Sequence, residues 1–112
     1  MEELLTFVSI DIADDKLRRK AVTMLLDYGL VREHYSVFSG MMTRNRREEL
    51  FVRMRARLGA QGAKFGRILV IPVNSREAAH VQRCQIGHPG VKKVKPKPND
   101  GPRDTDDERE TG

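Results

Sequence analysis

Cysteine, tryptophan and long apolar runs are what this chain largely does without. It has one cysteine, Cys84, in 112 residues. No disulfide can form within the chain, and a reducing compartment is expected. No apolar stretch approaches the roughly 20 residues that a membrane-spanning helix needs. The opening Met1-Glu2-Glu3 has neither the basic start nor the apolar middle of a secretion signal. Together these absences predict a cytoplasmic protein with no membrane partner. Aromatics are scarce, with four Phe, two Tyr and no Trp, and the aromatic-rich motifs of RNA-recognition domains are missing. His34, His80 and His88 have no zinc-ligand spacing among themselves or with Cys84. No Ser–His–Asp constellation is evident, and Cys84 lacks an activating context. The loop from Gly59 to Gly66 does not end in the Gly-Lys-Ser/Thr of a phosphate-cradling loop. No internal repeat is found.

What is present is positive charge, unevenly spread. Residues 1–99 carry 19 Lys/Arg against 10 Asp/Glu, a net +9, whereas residues 100–112 carry 2 against 6, a net −4. The part able to fold is therefore more basic than the overall +5, which suits a polyanionic partner such as nucleic acid or, more plainly, a soluble surface. A chain of this length makes one domain and buries only about two thirds of the surface its unfolded form exposes. A dimer interface would add useful burial.

Hydrophobic spacing sets out the elements. Residues 4–12 read as a strand with Val8, Ile10 and Ile12 on one face and Phe7, Ser9 and Asp11 on the other. Asp14 or Asp15 can cap the next helix, in which Leu17, Ala21, Met24, Leu25 and Tyr28 form one stripe, and Gly29 suits its end. Residues 31–42 predict a bent strand or two short ones, with a bend or bulge allowed at Gly40. Asn45 and Glu48 resemble a capping box ahead of a helix that turns Leu50, Phe51, Met54 and Leu58 inward. Residues 67–73 read as a strand whose end Pro72 puts at a sheet edge or outside the ladder. A short turn or helix capped by Ser75 follows, and Val81–Ile86 reads as a last strand. From Gly87 the prolines, the lysine cluster Lys92, Lys93, Lys95 and Lys97, and then acids predict a flexible tail. The expected organisation is a domain over 1–87 and a basic-then-acidic tail over 88–112. The element order is that of an α+β, ferredoxin-like split βαβ fold (β-α-β-β-α-β) with an antiparallel sheet and an extra C-terminal strand. Both helices would lie on one sheet face, leaving an apolar opposite face for a second copy to cover.

Two features carry candidate chemistry. Asp11 ends a strand immediately before Lys16, Arg18, Arg19 and Lys20. Such a carboxylate can ligate a divalent metal beside phosphate-neutralising cations, or it can simply bond the turn into the helix. Arg46, Arg47, Arg53, Arg55 and Arg57 on the second helix, with Arg44 before it, can form a sequence-independent track for a nucleic-acid backbone or an ordinary solvated face. Phe38 can stack on a base or pack in a core.

Three stretches, Asp11-Ile-Ala-Asp-Asp-Lys-Leu-Arg-Arg-Lys20, Leu25-Leu-Asp-Tyr-Gly-Leu-Val-Arg32 and Tyr35-Ser-Val-Phe-Ser-Gly40, together resemble the small universal subunit of the CRISPR adaptation machinery, CRISPR-associated protein Two. The resemblance runs from about Phe7 to about Ile86. It implies a ferredoxin-like homodimer packed through its sheets, with Asp11 binding a divalent metal, typically magnesium. It further implies that Arg18, Lys20, Arg32 and Phe38 join Asp11 at a catalytic site for metal-dependent cleavage of RNA or DNA. Arg18, Arg19, Arg44, Arg46, Arg47, Arg53 and Arg57 would contact nucleic acid. The implied cellular role is to bridge dimers of the integrase, CRISPR-associated protein One, during spacer acquisition. A toxin-like ferredoxin-fold ribonuclease is the alternative. This chain has Ile10 where the family often has tyrosine, and Ser39 where it often has glutamate.

Overall fold

The computed structural model describes residues 2–59 and 65–87. Contacts divide the chain after Val81 into two units, residues 1–81 and 82–112. In the first, β1 (Glu3–Ile12), α1 (Asp15–Asp27), β2 (Val31–His34), β3 (Val37–Thr43), α2 (Arg44–Gly59), β4 (Gly66–Val73) and α3 (Ser75–Ala78) follow one another. The four strands form one sheet in the order β2-β3-β1-β4, with every neighbour antiparallel. This is the split βαβ arrangement.

Period-two patterning sets the sheet's inner face. Val8, Ile10 and Ile12 of β1 and Phe38 and Met42 of β3 are buried against Leu17, Ala21 and Leu25 of α1 and Leu50, Met54 and Leu58 of α2. These are the two helical stripes expected, with Met24 and Tyr28 packed at the margin. Phe51 departs from the expectation. It stands exposed at the rim between α2 and β4, one position round from the buried row at Leu50, Met54 and Leu58.

Local polar chemistry sets the helix starts. The Asp14 carboxylate accepts the Leu17 N–H at 3.0 Å and caps α1. For α2 the cap is not Asn45: the Thr43 hydroxyl accepts the Arg46 N–H at 3.2 Å, while Glu48 pairs with Arg44 at 3.5 Å. The helix thus starts at Arg44, with Asn45 already inside it. Similarly, Asn74, not Ser75, caps α3 through the Glu77 N–H at 2.8 Å. Gly29 ends α1 with φ +86°, a left-handed conformation that favours glycine. The expected irregularity at Gly40 falls instead between Arg32 and His34. Gly40 serves close approach, since a Cβ there would stand 2.5 Å from Leu30 Cδ2. Pro72 lies on β4, an edge strand.

The extra strand expected over Val81–Ile86 does not form; these residues are irregular. A strand exists only as one side of a ladder, and no described strand pairs with this segment. In the second unit only residues 82–87 are described. Cys84 is exposed there, and the Gln85 side-chain amide donates to the Gly87 carbonyl at 3.2 Å. The tail expected over 88–112 lies outside the described residues, as does most of the Gly59–Gly66 loop.

Candidate functional site

Three sets of polar side chains emerge from this scaffold. The first is at the end of β1. Because the side chain of Asp11 alternates with Ile10 and Ile12, its carboxylate projects from the sheet face turned away from the helices, where it is exposed. It forms no ion pair or side-chain hydrogen bond with the described residues. Arg67 is its register partner on β4, yet the Arg67 guanidinium lies over the Phe65 ring, 4.9 Å from its centroid. No three His, Cys, Asp or Glu side chains converge among the described residues. An unpartnered, exposed carboxylate suits a magnesium ion that keeps most of its waters. A protein cage for the metal is not formed by the described residues of one chain, so Asp11 fits the ion as a single ligand that a second carboxylate could complete.

The second set gathers at the β2–β3 turn. Here Arg18, Arg32 and Phe38 come together around Tyr35. The Arg32 guanidinium lies 5.2 Å from the Phe38 ring centroid and 5.3 Å from that of Tyr35; Arg18 lies 5.6 Å from the latter. Phe38 itself has 0% exposure, so no base can stack on it, and it backs Arg32 instead. Arg18 donates to the Ile12 carbonyl at 3.0 Å and to the Asp15 carboxylate. The latter bond raises the guanidinium's pKa above its ordinary value, reinforced by Tyr35 against desolvation. Arg18 and Asp11 therefore leave β1 and α1 near one another in sequence but are linked by no described contact. Lys20 does not join this set.

The third set is a groove of about 390 Å³ on the helix layer, lined by Lys16, Arg19, Lys20 and Asp27 of α1 and by Arg57 of α2. Spacings of three, four and eleven residues from Lys16 bring the α1 members to one face. None of these four cations forms an ion pair within the described residues. The other arginines expected on a backbone track are differently engaged. Arg44 pairs with Glu48, and Arg53 with Glu49 at 3.8 Å; such exposed pairs are weak enough for a phosphate to displace. Arg47 donates to the Met42 carbonyl at 2.9 Å. Arg46 lies 4.6 Å from the Tyr28 ring centroid. Tyr28 in turn donates to Glu49 at 2.8 Å and accepts from Arg53 at 3.3 Å. Burial and the Glu49 bond hold the Tyr28 hydroxyl above the ordinary tyrosine pKa, opposed by Arg53. Lys16 was legible from its spacing to Arg19 and Lys20. Nothing in the sequence placed Arg57 opposite them or Tyr35 between two arginines.

The Ser39 hydroxyl donates to the Glu33 carboxylate at 2.5 Å. A carboxylate from β2 thus reaches the position where the family resemblance led one to expect glutamate on β3.

Fold and site together define an α+β, ferredoxin-like protein with a basic helix layer and a lone strand-end carboxylate. Over residues 4–81 the chain matches the family model described as CRISPR associated protein Cas2. It is 49% identical over 72 residues to the CRISPR-associated endoribonuclease Cas2 of Desulforudis audaxviator, covering 64% of this chain and 65% of the relative. This chain thus spans just under two thirds of that relative's length. It is 33% identical over 87 residues to a CRISPR-associated endoribonuclease Cas2 of Methanospirillum hungatei, covering 78% of this chain and 85% of the relative. Among solved structures, a hypothetical protein from Thermus thermophilus is similar with a TM-score of 0.56 at 33% identity, covering 65% of this chain and 84% of the other. A crystal structure titled cas2 shares the fold with a TM-score of 0.55 at 17% identity, covering 85% and 99%. The chain belongs to the CRISPR-associated Cas2 family. Among the described residues no helix is long and apolar enough to cross a membrane.

Proposed function

We propose that this chain acts as the dimeric, nucleic-acid-binding subunit of CRISPR adaptation, spacing integrase dimers (CRISPR-associated protein One) while it grips the backbone of incoming DNA in the cytoplasm. The observation that carries this reading is the separation of charge from carboxylate. Lys16, Arg19, Lys20 and Arg57 stand unpaired on the helix layer, whereas Asp11 projects from the opposite sheet face. Cations free of internal partners suit phosphate neutralisation without base readout. The sheet face away from the helices exposes Val31 (61%), Met41 (57%) and Leu69 (57%), an apolar surface that a second copy would cover. In that arrangement the two sheets would face one another, and a second Asp11 could complete the carboxylate pair.

A second activity, magnesium-dependent endonucleolytic cleavage, is favoured by the unpartnered Asp11 and by relatives named endoribonucleases. Asp11 would hold the ion; bound there, magnesium would polarise a phosphodiester and acidify an attacking water. Arg18 and Arg32, oriented at the β2–β3 turn, would offset charge on the phosphate. The test is purification with and without the integrase, followed by assays on wild type and Asp11→Asn. The architectural reading expects integrase association and spacer acquisition to survive Asp11→Asn; loss of both would overturn it. The nuclease reading expects magnesium-dependent cleavage by wild type and at least a hundredfold loss in the variant, beyond the roughly 10- to 100-fold typical of losing only an outer-shell partner of the metal. Equal cleavage by both proteins would remove it.

A further inference from the structure

Tyr35 lies in the turn between β2 and β3 and is 64% exposed, which does not suit a packing role. Its carbonyl accepts two bonds from Arg32, from Nε at 3.2 Å and Nη2 at 2.7 Å. The same guanidinium lies over the Tyr35 and Phe38 rings. Arg18 also lies over Tyr35 and is steadied by the Ile12 carbonyl and the Asp15 carboxylate. The turn is tied to β1 through the Ile10 N–H, which donates to the Ser36 carbonyl at 2.9 Å. Two like charges would drift apart on a flexible surface. Here their distances to one ring keep them within about 11 Å of each other. Arg18 is ion-paired with Asp15, whereas Arg32 has no carboxylate partner among the described residues, so it is Arg32 whose positive charge is oriented but not neutralised. Cation–π attraction holds a guanidinium without cancelling its charge, as a phosphate site requires.

We propose that Tyr35 is a positioning residue whose ring and carbonyl hold Arg18 and Arg32 as a paired clamp on the phosphodiester backbone, separate from the groove between α1 and α2. This rests on the nucleic-acid-binding reading above. Only the carbonyl bonds are independent of the side chain, so substitution separates the ring's contribution from that of the turn.

The test is a fluorescence-anisotropy titration of the full chain with a mixed-sequence DNA duplex and an RNA single strand, across a salt series. Wild type is compared with Tyr35→Ala, Tyr35→Leu, Tyr35→Phe, Arg32→Gln, and Tyr35→Ala combined with Arg32→Gln. Removing the ring by Ala or Leu is expected to weaken binding by roughly five- to thirtyfold, the effect of abolishing two exposed cation–π interactions. The salt slope is expected to fall by about one, as when a single phosphate is no longer neutralised. Tyr35→Phe keeps the ring and is expected to stay within about twofold of wild type. In the Arg32→Gln background, Tyr35→Ala is expected to cost less than it does alone, because the two act together. A structural defect alone would not be rescued in this way by Phe or coupled to Arg32. Wild-type affinity and salt slope in both Tyr35→Ala and Tyr35→Leu, or full additivity with Arg32→Gln, overturn the clamp while leaving the nucleic-acid reading intact. Wild-type protein that binds neither polymer overturns that reading and the clamp with it.

Discussion

On one face of the sheet, Val8, Ile10, Ile12, Phe38 and Met42 meet the apolar stripes of both helices and are shut off from solvent almost entirely. On the other, Val31, Met41, Leu69 and Ile71 remain open to it, with Asp11 beyond them at the strand end. The first face is what a protomer needs to fold. The second has a composition suited to burial but no described element to bury it, which is what the proposed dimer requires. The charge follows the same division. Arginines and lysines crowd the helix layer, away from the open face, so a partner covering that face would leave the basic groove accessible.

One substitution on each face separates the two roles. Leu50→Ala is expected to destabilise the protein by about 2–5 kcal/mol in a denaturant titration, because it removes a fully buried side chain and leaves a cavity. Leu69→Lys on the open face is expected to change protomer stability by only about 0.5 kcal/mol. It should instead shift the sedimenting species from dimer toward monomer at micromolar concentration. A monomeric wild type, or a Leu69→Lys dimer of undiminished stability, would mean that the exposed face is not the association surface.

Smaller effects sharpen the contrast among the cations. Replacing Arg19 and Arg57 by Gln is expected to lower the salt slope of DNA binding by about two, one for each phosphate left without its cation. The same change at Arg44 and Arg53, already engaged by Glu48 and Glu49, is expected to lower it less. Equal slopes from the two double variants would dissolve the distinction between free and paired charge.

The smallest effect concerns Tyr28. Its folded-state pKa lies above the ordinary tyrosine value, chiefly through burial and then through the Glu49 bond. A raised pKa favours the protonated hydroxyl in the fold. The stabilisation is therefore complete below the unfolded tyrosine pKa of about 10 and is lost as pH rises through the higher folded value. Thermal midpoints measured from neutral to strongly alkaline pH should fall less steeply for Tyr28→Phe than for wild type. Identical profiles would show that this hydroxyl is not coupled to folding.

Much of the fold was legible because local periodicity and burial agree. The alternation around Val8 and the stripes through Leu17 and Leu50 predict which faces pack, and the positions of Gly29 and Pro72 predict an ending helix and an edge strand. Caps were less legible. Thr43 and Asn74 each stand one or two residues before the position expected, because the backbone decides which oxygen first meets a free N–H. The segment over Val81–Ile86 shows the limit of strand propensity, since extended residues become a strand only when a neighbour supplies the ladder. At the site, Asp11 and the α1 cations were visible in linear order. Core packing was one of the two readings open to Phe38, and its burial decides for it; that it would back Arg32 was not visible.

The order of elements, the two inward faces, the excess of positive charge and the carboxylate at the end of β1 were all determined by the amino-acid sequence, because each follows from spacing along one strand or one helix. Tertiary structure alone decided that Arg57 would face Lys16, Arg19 and Lys20, that Tyr35 would stand between Arg18 and Arg32, and that Asp11 would project away from the basic groove. Those relations join residues on different elements. They depend on how antiparallel strands set their register and how helices pack upon them, a geometry that no local pattern of side chains encodes.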